Sequence, residues 1–143
     1  MSEEEVRNLI VEHRILEGSI RATQSRIELI NAALNDLYVA NATLEGLREC
    51  ENGVETLIPI GGGSFIKANL STVQKVVVGV GAGVCVEKSV EESIMDLKSR
   101  QAELERARAS LQEALGKALE ELEKRQRRIS ELLQSRRGAP KVA

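Results

Sequence analysis

At 143 residues, with 29% charged residues and only 1% aromatics, the chain lacks the bulk from which a compact globular core is built. Its formal net charge of −2 provides no global field favouring nucleic acid or a membrane surface. Ala, Leu, Glu and Arg are abundant, as in long helices and coiled coils, and the length predicts one elongated domain over residues 1–143.

Residues 1–5 are acidic and run straight into an amphipathic pattern, unlike a secretion signal. The longest apolar run, residues 76–86, is about half a membrane span and is broken by glycines. A soluble, cytoplasmic protein is expected. Cys50 and Cys85 stand far apart and the chain has one histidine, too few ligands for a zinc site. Reduced thiols, no metal and no cofactor are expected.

A first helical arm is predicted over residues 6–50. Its seam runs Val6, Leu9, His13, Leu16, Ile20, Thr23, Ile27, Ile30, Leu34, Leu37, Asn41 and Leu44. The alternating spacing of three and four marks a heptad repeat sustained far beyond an ordinary surface helix. At about 1.5 Å per residue such an arm reaches roughly 60 Å, too long to be wrapped by the rest of the chain. His13, Thr23 and Asn41 interrupt the seam, where polar residues cost stability but set register and partner number. His13 has no nearby Cys or second His, so it reads as a seam residue near a hydrated tip; its ionisation would weaken a packed tip. Residues 48–53 close the helix, with Gly53 expected in the left-handed capping position.

The central stretch, residues 54–88, is short and rich in Gly and β-branched residues, the signature of hairpins. One hairpin is predicted to pair residues 56–60 with 64–69 across Gly61-Gly62-Gly63. A second pairs residues 75–79 with 83–87 across Val80-Gly81-Ala82. Pro59 cannot donate a ladder hydrogen bond and must sit at an edge or irregularity. Isolated two-stranded hairpins are marginal, and Val76, Val78 and Val80 share a face with Val84 and Val86 that demands a cover. That cover is expected to come from other subunits. The subunit-assembly candidates are Leu57, Ile58, Ile60, Phe65 and Ile66 from the first hairpin, with Val76, Val77, Val78, Val80, Val84 and Val86 from the second.

The glycines also invite a nucleotide-binding reading. Gly79-Val80-Gly81-Ala82-Gly83 is followed by Val84 where a dinucleotide fingerprint needs glycine, and by strand where it needs helix. Neither glycine cluster precedes a Lys-Ser/Thr pair, and there is no βαβ unit. Tight turns explain these glycines.

A second arm is predicted over residues 89–137, opened by the capping box Ser89-Val90-Glu91-Glu92. Its seam reads Val90, Ile94, Leu97, Gln101, Leu104, Arg108, Leu111, Leu115, Ala118, Leu122, Arg125, Ile129 and Leu132. Gln101, Arg108 and Arg125 make it weaker than the first. Glu113–Lys117, Glu120–Lys124 and Glu121–Arg125 support the exposed faces. Gly138-Ala139-Pro140 ends the helix, leaving residues 138–143 as a flexible tail. The expected fold class is mainly α with a small β element: a long antiparallel coiled coil joined by two β-hairpins, both termini at the far tip. There the basic Arg125, Arg127, Arg128, Arg136, Arg137 and Lys141 would meet Glu3, Glu4 and Glu5. They form either a solvated complementary pair of helix ends or a partner-docking patch.

Residues 56–68 (TLIPIGGGSFIKA) and 80–84 (VGAGV), set between two heptad arms, resemble the α-type subunits of the prefoldin family, and the resemblance covers nearly the whole chain. In that family α-type subunits carry two hairpins where β-type subunits carry one. The resemblance implies a hexamer of two α and four β chains, whose hairpins close into a double β-barrel body from which coiled coils hang around a cavity. It implies a non-enzymatic, ATP-independent holdase that captures unfolded polypeptide clients and hands them to a group II chaperonin. Fraying tips would then offer Val6, Leu9, Ile10, Leu16, Ile129, Leu132 and Leu133 to clients, unless these residues complete the intramolecular seam. The competing function is a structural coiled-coil adaptor or scaffold subunit without client binding. A nucleic-acid binder reading residues 125–141 would betray itself by salt-sensitive binding.

Overall fold

The structure, a computed structural model, describes residues 3–50 and 53–137, with the backbone alone at Arg137. The expectations for residues 138–143, including Lys141 and the Gly138-Ala139-Pro140 stop, lie outside the described residues. Six elements follow in order: α1 (Glu3–Arg48), β1 (Val54–Gly61), β2 (Ser64–Leu70), β3 (Lys75–Gly81), β4 (Val84–Ser89) and α2 (Val90–Arg137). Glu3, Glu4 and Glu5 occupy the first turn of α1, where carboxylates complement the exposed N–H groups. At the head of α2 the Glu92 N–H donates to Ser89 Oγ at 3.1 Å, the N-cap bond that the sequence announces.

The helix end at Arg48 departs from expectation. The Cys50 N–H donates to the Leu47 carbonyl at 3.1 Å, closing α1 before Gly53 is reached. Gly53 does have a positive φ of 81°, but it serves the hairpin that follows. A Cβ there would lie 2.3 Å from the Leu70 carbonyl oxygen, so only glycine lets the two ends of the β1–β2 ladder close.

The chain forms two units, one from Ala33 to Glu105 and the other from residues up to Ala32 with those from Arg106 onward. In the latter, here the arm unit, α1 and α2 run antiparallel: Arg136 bonds Glu3 at 3.0 Å, Arg125 bonds Glu12 at 2.6 Å and Arg108 bonds Asn31 at 3.0 Å. Val6, Ile20 and Leu132 are its buried apolar residues. The former, the hairpin unit, holds the base of the same two helices, again antiparallel. Tyr38 bonds Glu105 at 2.7 Å and Lys98 pairs with Glu45 at 3.1 Å. Leu44, Val90 and Ile94 form its core, with Val73, Val76 and Leu97 against them. The weak seam positions of α2 are matched polar to polar, since Gln101 accepts from Asn41 Nδ2 at 3.4 Å while Arg108 and Arg125 reach the α1 partners above.

The hairpins are two separate two-stranded antiparallel sheets. Both are longer than the sequence suggests and share one design. A register shift at Ile60 or Val80 is followed by a two-residue loop, Gly62-Gly63 or Ala82-Gly83. All four loop residues have positive φ, the requirement of a type I′ turn, whose twist matches that of the strands. Gly61 therefore joins the ladder opposite Ser64, and the second loop sits one residue beyond the expected Val80-Gly81-Ala82. A three-residue glycine loop was expected; the bulge absorbs its first residue because the tight turn needs only two.

Candidate interaction surfaces

In the first hairpin, cross-strand partners Ile58 and Ile66 share one face and Leu57, Pro59 and Phe65 the other. Leu57, Ile58, Ile60, Phe65 and Ile66 are each about half exposed. Both faces of this ribbon present apolar side chains to solvent, which two strands cannot hide by themselves.

The second hairpin differs because β4 ends at Ser89 and α2 begins at Val90, with no linker between them. Its base is thereby carried onto the helices. Val78 is 6% exposed and Val76 is half-buried against Leu44, Val90 and Ile94. Arg100 donates to the Gly79 carbonyl at 3.1 Å, and Lys88 pairs with Asp96. An open apolar groove of about 360 Å³ runs between β3 and the helices, lined by Ala40, Leu44, Val76, Val78, Leu97 and Arg100 among others. Towards the turn the cover ends, leaving Val77, Val80, Val84 and Val86 exposed. Of the eleven assembly candidates, Val76 and Val78 are thus covered within the chain and the other nine are open.

The arm unit divides the tip candidates too. Val6 and Leu132 are buried; Leu9, Ile10, Leu16 and Ile129 are half-buried, and Leu133 is exposed. Val6 and Leu132 form the floor of a cavity of about 380 Å³ rimmed by Arg128, Glu131 and Arg136. Of the expected charge meeting, Glu3 pairs with Arg136 of the rim at 3.0 Å, while Arg125 reaches Glu12, which lay outside that expectation, at 2.6 Å. Glu123 bonds Arg127 and holds its guanidinium pKa above the ordinary value. His13 Nδ1 lies 2.8 Å from Glu17, and its Nε2 is buried without a hydrogen-bond partner. The ring is less hydrated than a frayed tip would leave it.

Besides Leu119, exposed on α2, three exposed apolar residues of α1 in the arm unit were missed by the sequence reading: Val11, Ile15 and Leu29. They lie off the seam, at positions where polar residues are the rule. A second search for the three-four spacing on the opposite helix face would have found them. Among the described residues no group of three or more His, Cys, Asp or Glu side chains could hold a metal ion, and no helix is long and apolar enough to cross a membrane.

Paired heptad helices with hairpins that expose apolar faces define a coiled-coil assembly subunit. Residues 16–135 match the family model described as Prefoldin subunit, and the chain belongs to the prefoldin family. Prefoldin subunits are chaperones and not enzymes. The chain is 38% identical over 103 residues to a prefoldin subunit alpha of Methanococcoides burtonii, covering 72% of this chain and 75% of that one. It is 35% identical over 122 residues to a prefoldin subunit alpha of Pyrococcus horikoshii, covering 85% and 80%. In fold it is similar to a chain in the cryo-EM structure of filamentous PFD from Methanocaldococcus jannaschii, with a TM-score of 0.65 and 24% identity over 78% of this chain and 92% of that one.

Proposed function

We propose that the chain is the α-type subunit of a cytoplasmic prefoldin, a holdase that binds unfolded polypeptides and passes them to a group II chaperonin without ATP. The first hairpin carries this reading, because its apolar faces need cover from other subunits. Two α-type chains and four β-type chains joined into a double β-barrel supply that cover, through Leu57, Ile58, Ile60, Phe65 and Ile66 together with Val77, Val80, Val84 and Val86. Clients are bound at the arm tips, where the exposed Leu133 and half-buried Leu9, Ile10, Leu16 and Ile129 need the least rearrangement. Val6 and Leu132 join only when the tip opens.

The burial of Val6 and Leu132 favours the second reading, an adaptor whose tips only close the seam. Native mass measurement after mixing with a β-type subunit, followed by an aggregation-suppression assay, separates the two. A hexamer that loses protection when residues 1–16 and 126–143 are deleted supports the holdase. A truncated hexamer that protects a denatured client fully sinks the tip assignment, and a chain that stays monomeric in the mixture sinks the assembly.

A further inference from the structure

The outward face of α1 in the arm unit carries a second heptad stripe: Val11, Ile15, Gly18, Ala22, Ser25 and Leu29, spaced four and three in alternation. Val11 is 53% exposed, Ile15 67% and Leu29 71%. The equivalent stripe of α2 reads Glu113, Lys117, Glu120, Lys124, Arg127 and Glu131, the composition of a solvated face. Solvation alone would have given α1 the same. Glycine inside a helix is destabilising relative to alanine, yet a Cβ at Gly18 would meet nothing within 4 Å. Gly116 of α2 stands in equally open space, so the open space alone marks no contact. What sets Gly18 apart is its place in the middle of the apolar stripe, where it lets a second backbone approach closely.

We infer that this stripe is the contact through which two copies of the chain pair their α1 helices antiparallel. Sustained four-three spacing needs a long helix as the facing surface, and the stripe is complementary to itself in reverse. With the copies centred near Ile20–Arg21, Leu29 of each faces Val11 of the other, and Ile15 faces Ser25. Gly18 faces Ala22, so the backbones come closest at the middle. The flanking charges choose the direction. Antiparallel pairing sets Arg14 against Glu28 twice and brings only the two Arg21 side chains together. Parallel pairing sets Arg21 against Arg26 twice. Asp36 continues the pattern and ends it, confining the contact to about three heptads, an interface for reversible association.

Single-cysteine variants of the full chain test this, in a background with Cys50→Ser and Cys85→Ser. Under mild oxidation Arg21→Cys should give a disulfide dimer, because that position lies beside the two-fold axis. Arg7→Cys should not, since the antiparallel arrangement holds its two copies about 40 Å apart along the helices. Adding Ile15→Glu and Leu29→Glu should cut the Arg21→Cys dimer at least tenfold while the helical circular dichroism stays unchanged. Arms hung from one body run the same way, so the antiparallel contact joins chains of separate assemblies. At a dilution that parts them, the pair should leave the native mass of the mixture with a β-type subunit as it was, separating this contact from hairpin assembly. Equal cross-linking at positions 7 and 21 overturns the antiparallel pairing. Cross-linking untouched by the glutamates, absent altogether, or seen only when an unfolded client is added overturns the self-contact; the last would assign the stripe to the client.

Discussion

The two hairpins of this chain are near copies in backbone and unlike in surroundings. Each has an antiparallel ladder, a bulge before the turn and two loop residues at positive φ. Yet the first has apolar side chains open on both faces, whereas the second buries Val78 and half-buries Val76 against its own helices. Connectivity makes the difference. The second hairpin runs from Ser89 directly into Val90 of α2, while residues 49–53 and 71–74 separate the first from its neighbours. Local β-forming sequence therefore builds a ribbon in both places, but only the direct junction supplies a partner surface. The first is left open on both faces.

The largest effect expected from this contrast is on Val78. Val78→Asp places an unpaired charge in a buried site and should cost on the order of 3 kcal/mol, seen as a lowered unfolding midpoint by circular dichroism. Ile58→Asp should leave that midpoint within about 0.5 kcal/mol, as an exposed substitution does, while blocking association with a β-type subunit in native mass measurements. Equal destabilisation by the two would erase the distinction. Next comes Gly53→Ala, which meets both a positive φ of 81° and the Leu70 carbonyl. About 2 kcal/mol of strain is expected, confined to the first hairpin and readable as faster amide exchange in residues 54–70 but not 75–89.

Smaller effects sharpen the comparison at the turns. Ala82 is the one non-glycine residue with positive φ among the described residues, at 51°. Ala82→Gly should stabilise the second hairpin by about 1 kcal/mol, and Gly62→Ala should weaken the first by a similar amount; amide exchange at the two turns reads both. A matching response of opposite sign would confirm that the turns are equivalent and that the difference lies only in cover. The smallest expected change is Arg100→Ala, which removes the bond to the Gly79 carbonyl. A loss of about 1 kcal/mol or less is expected in thermal unfolding, with no counterpart in the first hairpin.

Much of this architecture was legible in the residues. Heptad spacing over both arms, the Ser89 cap and the glycine turns act between neighbours a few positions apart, so their physics is local and readable from spacing. The bulges at Ile60 and Val80 were not, because a glycine run does not say which of its members joins the ladder. Gly53 was placed correctly in conformation and wrongly in purpose, since its requirement comes from Leu70, distant in sequence. His13 and the tip residues show the same limit. Periodicity puts Val6, Leu9, Leu16, Ile129 and Leu132 on one seam, but which stay half-open depends on how the opposite helix is set against them.

By itself, then, the sequence determined two long helices, two hairpins between them and an apolar central stretch in need of cover, because period and turn chemistry are written in consecutive residues. Only the tertiary structure decided that Val76 and Val78 are covered from within while Ile58 and Phe65 are not, and that Val6 and Leu132 are buried while Leu133 is open. It also decided that Ile15 and Leu29 face solvent. Those outcomes depend on which distant surfaces meet, and burial is a property of the pair.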